Sequence, residues 1–406
     1  MSTPQPDQLA WYRSLKPVMQ RGHEVRLLEG GNDYFPALEA DCAAARSRIH
    51  LETYIFEDDV AGRRVAAALA GAAARGVEVR LVIDGFGTGE LRGEVARILR
   101  ASRVSVETFR PERRRFAFDR QRLRRMHRKI AVVDGRIAYV GGINVLDDLY
   151  DPNHGTLDHP RFDFAVKVRG PLVPKVHLAA ERLWWELTAL HRPLQTMKRL
   201  ELPDDVPDPH ARPGRTPAMF VLRDNFRFRR AIEKSYLRAI GRARREILIA
   251  NAYFLPGIRF RRALLAARRR GVRVRLLLQG RVEYKLQHYA SQALYEQLLL
   301  AGVEITEYRR SFLHAKVAVI DDWATVGSSN IDPFSLMLAR EANVATQDAG
   351  FARELHARIE RAIADGGQPV VLTGHRRRPW PIRLMNWFAF GILRFGVALT
   401  GTQEKF

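Results

Sequence analysis

Two stretches of the chain carry the same reactive side chains in the same order. The first, RRMHRKIAVVDGRIAYVGGIN, holds His127, Lys129, Asp134, Gly141 and Asn144. The second, RRSFLHAKVAVIDDWATVGSSN, holds His314, Lys316, Asp321, Gly327 and Asn330. An imidazole, an ammonium and a carboxamide brought to one point suit a phosphoryl group. Lysine and asparagine stabilise non-bridging oxygens, and histidine attacks phosphorus or moves a proton. A single His-x-Lys occurs by chance; the whole pattern twice points to a duplicated phosphoryl-transfer site.

The spacing predicts how each set is assembled. Residues two apart on a strand share a face, so His and Lys project together. The apolar runs 130–133 and 317–320 carry each strand into the core. Asp134-Gly135 and Asp321-Asp322 read as the turn into a returning strand. As turn residues the two aspartates serve the backbone at least as much as the chemistry. The returning strand places Gly141, Gly142 and Asn144, or Gly327, Ser328 and Asn330, beside the histidine, where small residues let backbone approach a ligand. On this reading Asn144, Asn330 and Ser328 bind phosphate oxygens.

Two imidazoles at one phosphorus must divide the work: one neutral to attack, one protonated to donate to the departing oxygen. Their titrations are coupled, which predicts a bell-shaped pH–rate profile. A working histidine also needs an acceptor on its other nitrogen. Asp163 in RFDFAVKV and Glu341 in REANVATQ, each in a strand after its motif, are the candidates. Glu52, Tyr54, Asn251 and Tyr253, near the ends of the opening strands, are quieter ones.

The elements that must position these groups form an internal repeat. RIHLETYIFEDD, an alanine-rich helix and RGVEVRLVIDGFG recur as REILIANAYFLPG and RFRRALLAARRRGVRVRLLLQG. Each copy reads strand, helix, strand, then a further helix and strand. The fold class is therefore α/β: two related halves, each a mixed sheet flanked by helices, with one site at their interface. Residues 1–192 form the first half, 193–217 a linker with six prolines, 218–372 the second half, and 373–406 a basic aromatic tail.

The 406 residues carry 67 Lys+Arg against 45 Asp+Glu, a net +22. Such a balance calls for an anionic partner: nucleic acid, a membrane surface or a phosphorylated substrate. The charge is concentrated in residues 110–129, which run into His127, in 259–275, and in the tail. A single cysteine, Cys42, excludes an intramolecular disulfide and a cysteine-built zinc site, and suits a reducing compartment. No stretch reaches the roughly 18–20 apolar residues of a spanning helix. The tail, WPIRLMNWFAFGILRFGVALTG, reads instead as a helix lying in the membrane interface.

The paired motifs resemble the signature of the phospholipase D superfamily. RRMHRKI, Trp184-Trp185, RDN at 223–225, IANAYF, EYRR and DDWATVGSSNIDPFSL look like the bacterial cardiolipin synthase B group in particular. The resemblance spans roughly residues 25–372. It implies transfer of a phosphatidyl group through a phosphohistidine, with no metal or other cofactor, and favours His127 as nucleophile. Phosphatidylglycerol would give its phosphatidyl group to histidine and release glycerol; a second phosphatidylglycerol would then accept it. Gly142 stands where the signature has serine, and Ala339 where relatives carry asparagine. The turn before Gly327 is one residue shorter than that before Gly141. A phosphodiesterase of the same fold acting on phospholipid or nucleic acid is the competing reading; the amphipathic tail favours lipid over nucleic acid. The expected partners are phosphatidylglycerol and an anionic membrane surface, with the protein peripheral on the cytoplasmic side of the cell membrane.

Overall fold

Short β-branched runs alternating with helical segments build seventeen strands among the described residues of the computed structural model. It describes residues 15–111, 124–188, 212–224, 228–333, 335, 338–376 and 379–399. The first half contributes β1 (Gln20–Glu29), β2 (Arg48–Thr53), β3 (Glu78–Asp84), β4 (Ser105–Phe109), β5 (Lys129–Val133), β6 (Ile137–Gly141), the small hairpin β7 (Tyr150–Asp151) and β8 (Gly155–Thr156), and β9 (Phe164–Arg169). The second contributes β10 (Thr216–Arg223), β11 (Glu246–Asn251), β12 (Arg273–Gln279), β13 (Glu304–Tyr308), β14 (Lys316–Ile320), β15 (Trp323–Gly327), β16 (Glu341–Gln347) and β17 (Gly367–Pro369). Most of the Pro-rich linker, and the middle of the basic 110–129 cluster, lie outside the described residues.

All but the small hairpin join one sheet in the order β17-β13-β12-β11-β14-β15-β16-β10-β1-β9-β6-β5-β2-β3-β4. Outward from the central β1–β10 pair, the two wings repeat the same sequence of elements. In each wing three strands run parallel, β2-β3-β4 and β11-β12-β13, because helices cross between them. The motif strands are antiparallel hairpins: β5 with β6, and β14 with β15. Val133 pairs with Ile137 across a three-residue turn, and Ile320 with Trp323 across a two-residue turn. That is the one-residue difference legible in the spacing; Lys129 still pairs with Gly141.

The register slips between Gln20 and His23 where β1 meets β10, and the wings turn toward each other, with β6 against β15 and β16. One core joins both halves there. It includes Val132, Val140, Val166, Phe220, Val317, Val326 and Val344, with Val176 and Ile359 from the helices Val173–Thr188 and Ala349–Gly366. Each wing has a second core on its outer face, under helices such as Val60–Ala74 and Ile258–Arg269. Hydrophobic burial on both sides of the strands explains their nearly unbroken apolar runs. The arginine-rich helix Ile258–Arg269 buries Phe260, Leu264 and Ala267 and leaves most of its charge outside.

The tail folds as the helix Trp380–Leu399. Its Asn386, Ala389, Phe390 and Leu393 are buried against the body, beside the helix Lys285–Gln292. Trp380, Leu384, Trp387, Phe388, Ile392 and Phe395 remain exposed. One face of this helix is thus packed on the protein's own core and the other is left open.

Candidate active site

The approach of the two wings brings the starts of β5 and β14 together. His127 stands two residues ahead of Lys129, and its backbone N–H donates to Arg340 O at 3.0 Å. The N–H of His314 donates to Phe162 O at 2.9 Å. Each histidine is thus tied to the segment that enters the other half's β16 or β9. The next residue of each segment is an acid. His127 Nδ1 lies 3.0 Å from Glu341 Oε1, and His314 Nδ1 lies 2.6 Å from Asp163 Oδ2. With Nδ1 engaged, Nε2 is the nitrogen available to a phosphorus atom. The carboxylates are buried, whereas the histidine side chains keep 17% and 15% of their surface, enough for a ligand to reach them.

A family model described as cardiolipin synthase, PLD-like domain, matches residues 38–156 and 236–363. The chain belongs to this family. Cardiolipin synthase B of Escherichia coli strain K12 is 39% identical over 400 residues, covering 95% of this chain and 92% of the relative. A probable cardiolipin synthase of Bacillus subtilis is 32% identical over 84% of this chain and 66% of its own length. Among solved structures, phosphatidylserine synthase of Haemophilus influenzae covers 98% of this chain and 99% of its own at a TM-score of 0.67 and 12% identity, a likeness of fold alone.

The remaining motif residues of this cardiolipin synthase family member divide into two groups. Lys129 and Lys316 stay with the histidines: Lys129 Nζ donates to His127 O at 2.7 Å, Lys316 Nζ donates to His314 O, and Lys316 Nζ lies 3.9 Å from Asp163. Asn144 and Asn330 are buried nearby. Asn144 Oδ1 accepts from Ile55 N–H at 3.2 Å, and Asn330 Oδ1 has no partner among the described residues. Tyr54 packs its ring edge-on to His127 at 4.8 Å, and Lys129 Nζ sits 5.2 Å from the centre of the same ring.

The other group is engaged elsewhere, the two aspartates at the turns that the spacing predicts. Asp134 is at the far end of β5, where its carboxylate accepts from the N–H groups of Arg46, Ser47 and Arg48. Asp321 does the same for Arg244, Arg245 and Glu246. Both adopt positive φ, 49° and 51°, as their turns require. Ser328, expected at the phosphate, is fully buried and donates to Glu341 Oε2 instead. Its oxygen also accepts from Ala342 N–H at 3.1 Å. The reason for Gly142 follows: a Cβ there would sit 2.3 Å from Asp163 Oδ1. Glu52 is taken by a buried ion pair with Arg128, and Asn251 accepts from Ile331 N–H at 3.1 Å.

Two residues that the sequence reading missed hold the histidine loops. Asp84 Oδ2 accepts from Met126 N–H at 2.9 Å, and Gln279 Oε1 accepts from Leu313 N–H at 3.1 Å. They close β3 and β12, and the repeated strand endings IDG and LQG were the available signal.

Burial governs the charges. It pushes Lys129 down to about 7 and Lys316 down to about 8, Lys316 adding to the shift of Lys129 and Arg161 to that of Lys316, with the carboxylates opposing both. It lowers His127, against the pull of Glu341, and holds His314 well below the ordinary value, with Lys316 and Lys129 reinforcing. Asp163 is pushed up to about 7 by burial, against Lys316. An anionic phosphate diester entering this pocket restores charge to the bases around it.

Proposed function

We propose that the chain makes cardiolipin by moving a phosphatidyl group from one phosphatidylglycerol to another. His127 Nε2 attacks phosphorus while His314, coupled to Asp163, gives its proton to the glycerol oxygen that leaves. The products of this step are a phosphatidyl-histidine and free glycerol. His314 then takes the proton from a primary hydroxyl of the second phosphatidylglycerol, which attacks phosphorus and frees His127. Lys129, Lys316, Asn144 and Asn330 hold the non-bridging oxygens. Asp134 and Asp321 secure the turns that aim the strands.

The observation that carries this reading is the pair of histidine–carboxylate couples facing each other across the halves. The assignment of nucleophile rests on asymmetry between them. Glu341 is fixed by Ser328 and suits a histidine that must carry positive charge once phosphorylated. Asp163 is raised toward neutrality and so shares a proton with His314, as an acid–base couple needs. Purified chain incubated with phosphatidylglycerol vesicles should yield cardiolipin and glycerol, and His127→Ala and His314→Ala should abolish both. Phosphatidic acid as the sole product would replace transfer with hydrolysis.

We also place the protein at the membrane surface, on the cytoplasmic side in keeping with its single cysteine. No helix of the described residues is long and apolar enough to cross a bilayer. The exposed aromatic face of Trp380–Leu399, with Arg383 and Arg394 on the same helix, suits the interface of an anionic membrane.

A further inference from the structure

The two halves match closely around the histidines, so their differences mark what the two sides of the site must tell apart. Gly85 N–H donates to Phe109 O and Gly280 N–H to Tyr308 O, each at 2.9 Å. These glycines correspond, and three residues on, Thr88 corresponds to Glu283. The bridges Phe56–Val145 and Phe254–Ile331 likewise make Ile55 the counterpart of Tyr253. On the His127 side, Thr88 is spent on backbone: its hydroxyl donates to Tyr54 O and accepts from Phe56 N–H, both at 3.0 Å. On the His314 side the Tyr253 hydroxyl donates to the Glu283 carboxylate. The Tyr284 ring lies 5.9 Å from that of Tyr253.

This pair borders the reacting groups. Ala252 N–H donates to Ala315 O at 3.0 Å, which sets Tyr253 beside the residue that follows His314. Arg161, two residues before Asp163, is paired with Asp151 at 2.8 Å. Its charge acts on Glu283, on Lys316 and on His314, and Glu283 and Lys316 act on each other. Glu283 keeps part of its surface open, so a ligand can reach it.

We propose that Glu283 and Tyr253 form the subsite for the glycerol headgroup, binding the hydroxyls of the glycerol that leaves and then those of the acceptor. The inference rests on the phosphatidyl-transfer reading above. The acid that protonates the departing oxygen must touch the glycerol, so the headgroup belongs on the His314 side. A carboxylate accepts from two neighbouring hydroxyls, and a tyrosine hydroxyl adds a donor and an acceptor.

The test uses the full chain in mixed micelles with three donors: phosphatidylglycerol, phosphatidylethanolamine and phosphatidyl-p-nitrophenol. Headgroup release is measured, so the subsite is read whether lipid or water accepts the phosphatidyl group. In Glu283→Gln the ratio of kcat/KM for phosphatidylglycerol to that for the nitrophenyl donor should fall about tenfold or more, chiefly through KM. Tyr253→Phe should move the ratio the same way by less. An unchanged ratio, or a loss confined to phosphatidylethanolamine, would overturn the subsite. If wild type released glycerol with this discrimination but formed no cardiolipin, the transfer reading would fall and the subsite would stand.

Discussion

Glu341 of the second half lies 3.0 Å from His127 of the first, and Asp163 returns the arrangement by holding His314 at 2.6 Å. Each motif histidine takes its acid from the other half. The two couples exist only where the wings meet, and the acids are also part of what joins them. Glu341→Gln should lower kcat by roughly 10²-fold, with a smaller change in KM, because the acceptor that orients His127 loses its charge. Asp163→Asn should remove the proton-sharing partner of His314 and displace one limb of the pH–rate profile. Steady-state kinetics over pH 5–9 checks both; identical profiles for the two variants would contradict the division of labour.

Gly142 and Ser328 occupy equivalent places and are not interchangeable. Gly142→Ser should abolish activity, since its Cβ would press on Asp163 from 2.3 Å. Ser328→Ala only removes a hydroxyl from behind Glu341, and kcat should fall by about tenfold with little effect on substrate affinity. Activity measured beside a circular-dichroism check of folding separates the two outcomes.

Asp134→Ala should cost stability and leave chemistry largely intact. Three backbone N–H groups lose a charged acceptor, an effect of roughly 2–3 kcal/mol. These bonds hold the Asp134 carboxyl below its ordinary value although burial works the other way. Its contribution is therefore full above pH 4 and is lost as pH falls through the lowered value. Thermal melts at pH 7 and pH 3 should show the variant's deficit shrinking at the lower pH.

The buried lysines predict opposite behaviour. Lys129 carries a folded value of about 7 against an ordinary 10.5, chiefly through burial. Its burial penalty is greatest below pH 7 and fades as pH rises toward 10. Lys129→Met should abolish turnover yet melt at or above wild type at pH 6, with that advantage vanishing by pH 10. Without substrate, binding of an anionic phospholipid analogue to wild type should weaken as pH rises from 7 to 9.

On the Trp380–Leu399 helix, Phe388 and Phe395 are 68% and 65% exposed. Replacing both with serine should leave the melting temperature near wild type and weaken binding to anionic vesicles by about tenfold or more, measured by co-sedimentation. Unchanged binding would show that another surface docks the protein.

The duplicated histidines and lysines, the hairpins that present them, the α/β class and the phosphoryl chemistry were all legible in the sequence. Those features are local: strand alternation, turn residues and reactive types recur within about twenty residues of each other. Tertiary structure alone decided which acid serves which histidine, because the partners are 214 and 151 residues apart. Only the folded chain sends Ser328 to Glu341, turns Asp134 and Asp321 toward backbone, and docks half of the terminal helix. The Tyr253–Glu283 pair, 30 residues apart, belongs with these. Residue type tells what a group can do, but which group it meets is decided by where the two wings of the sheet close.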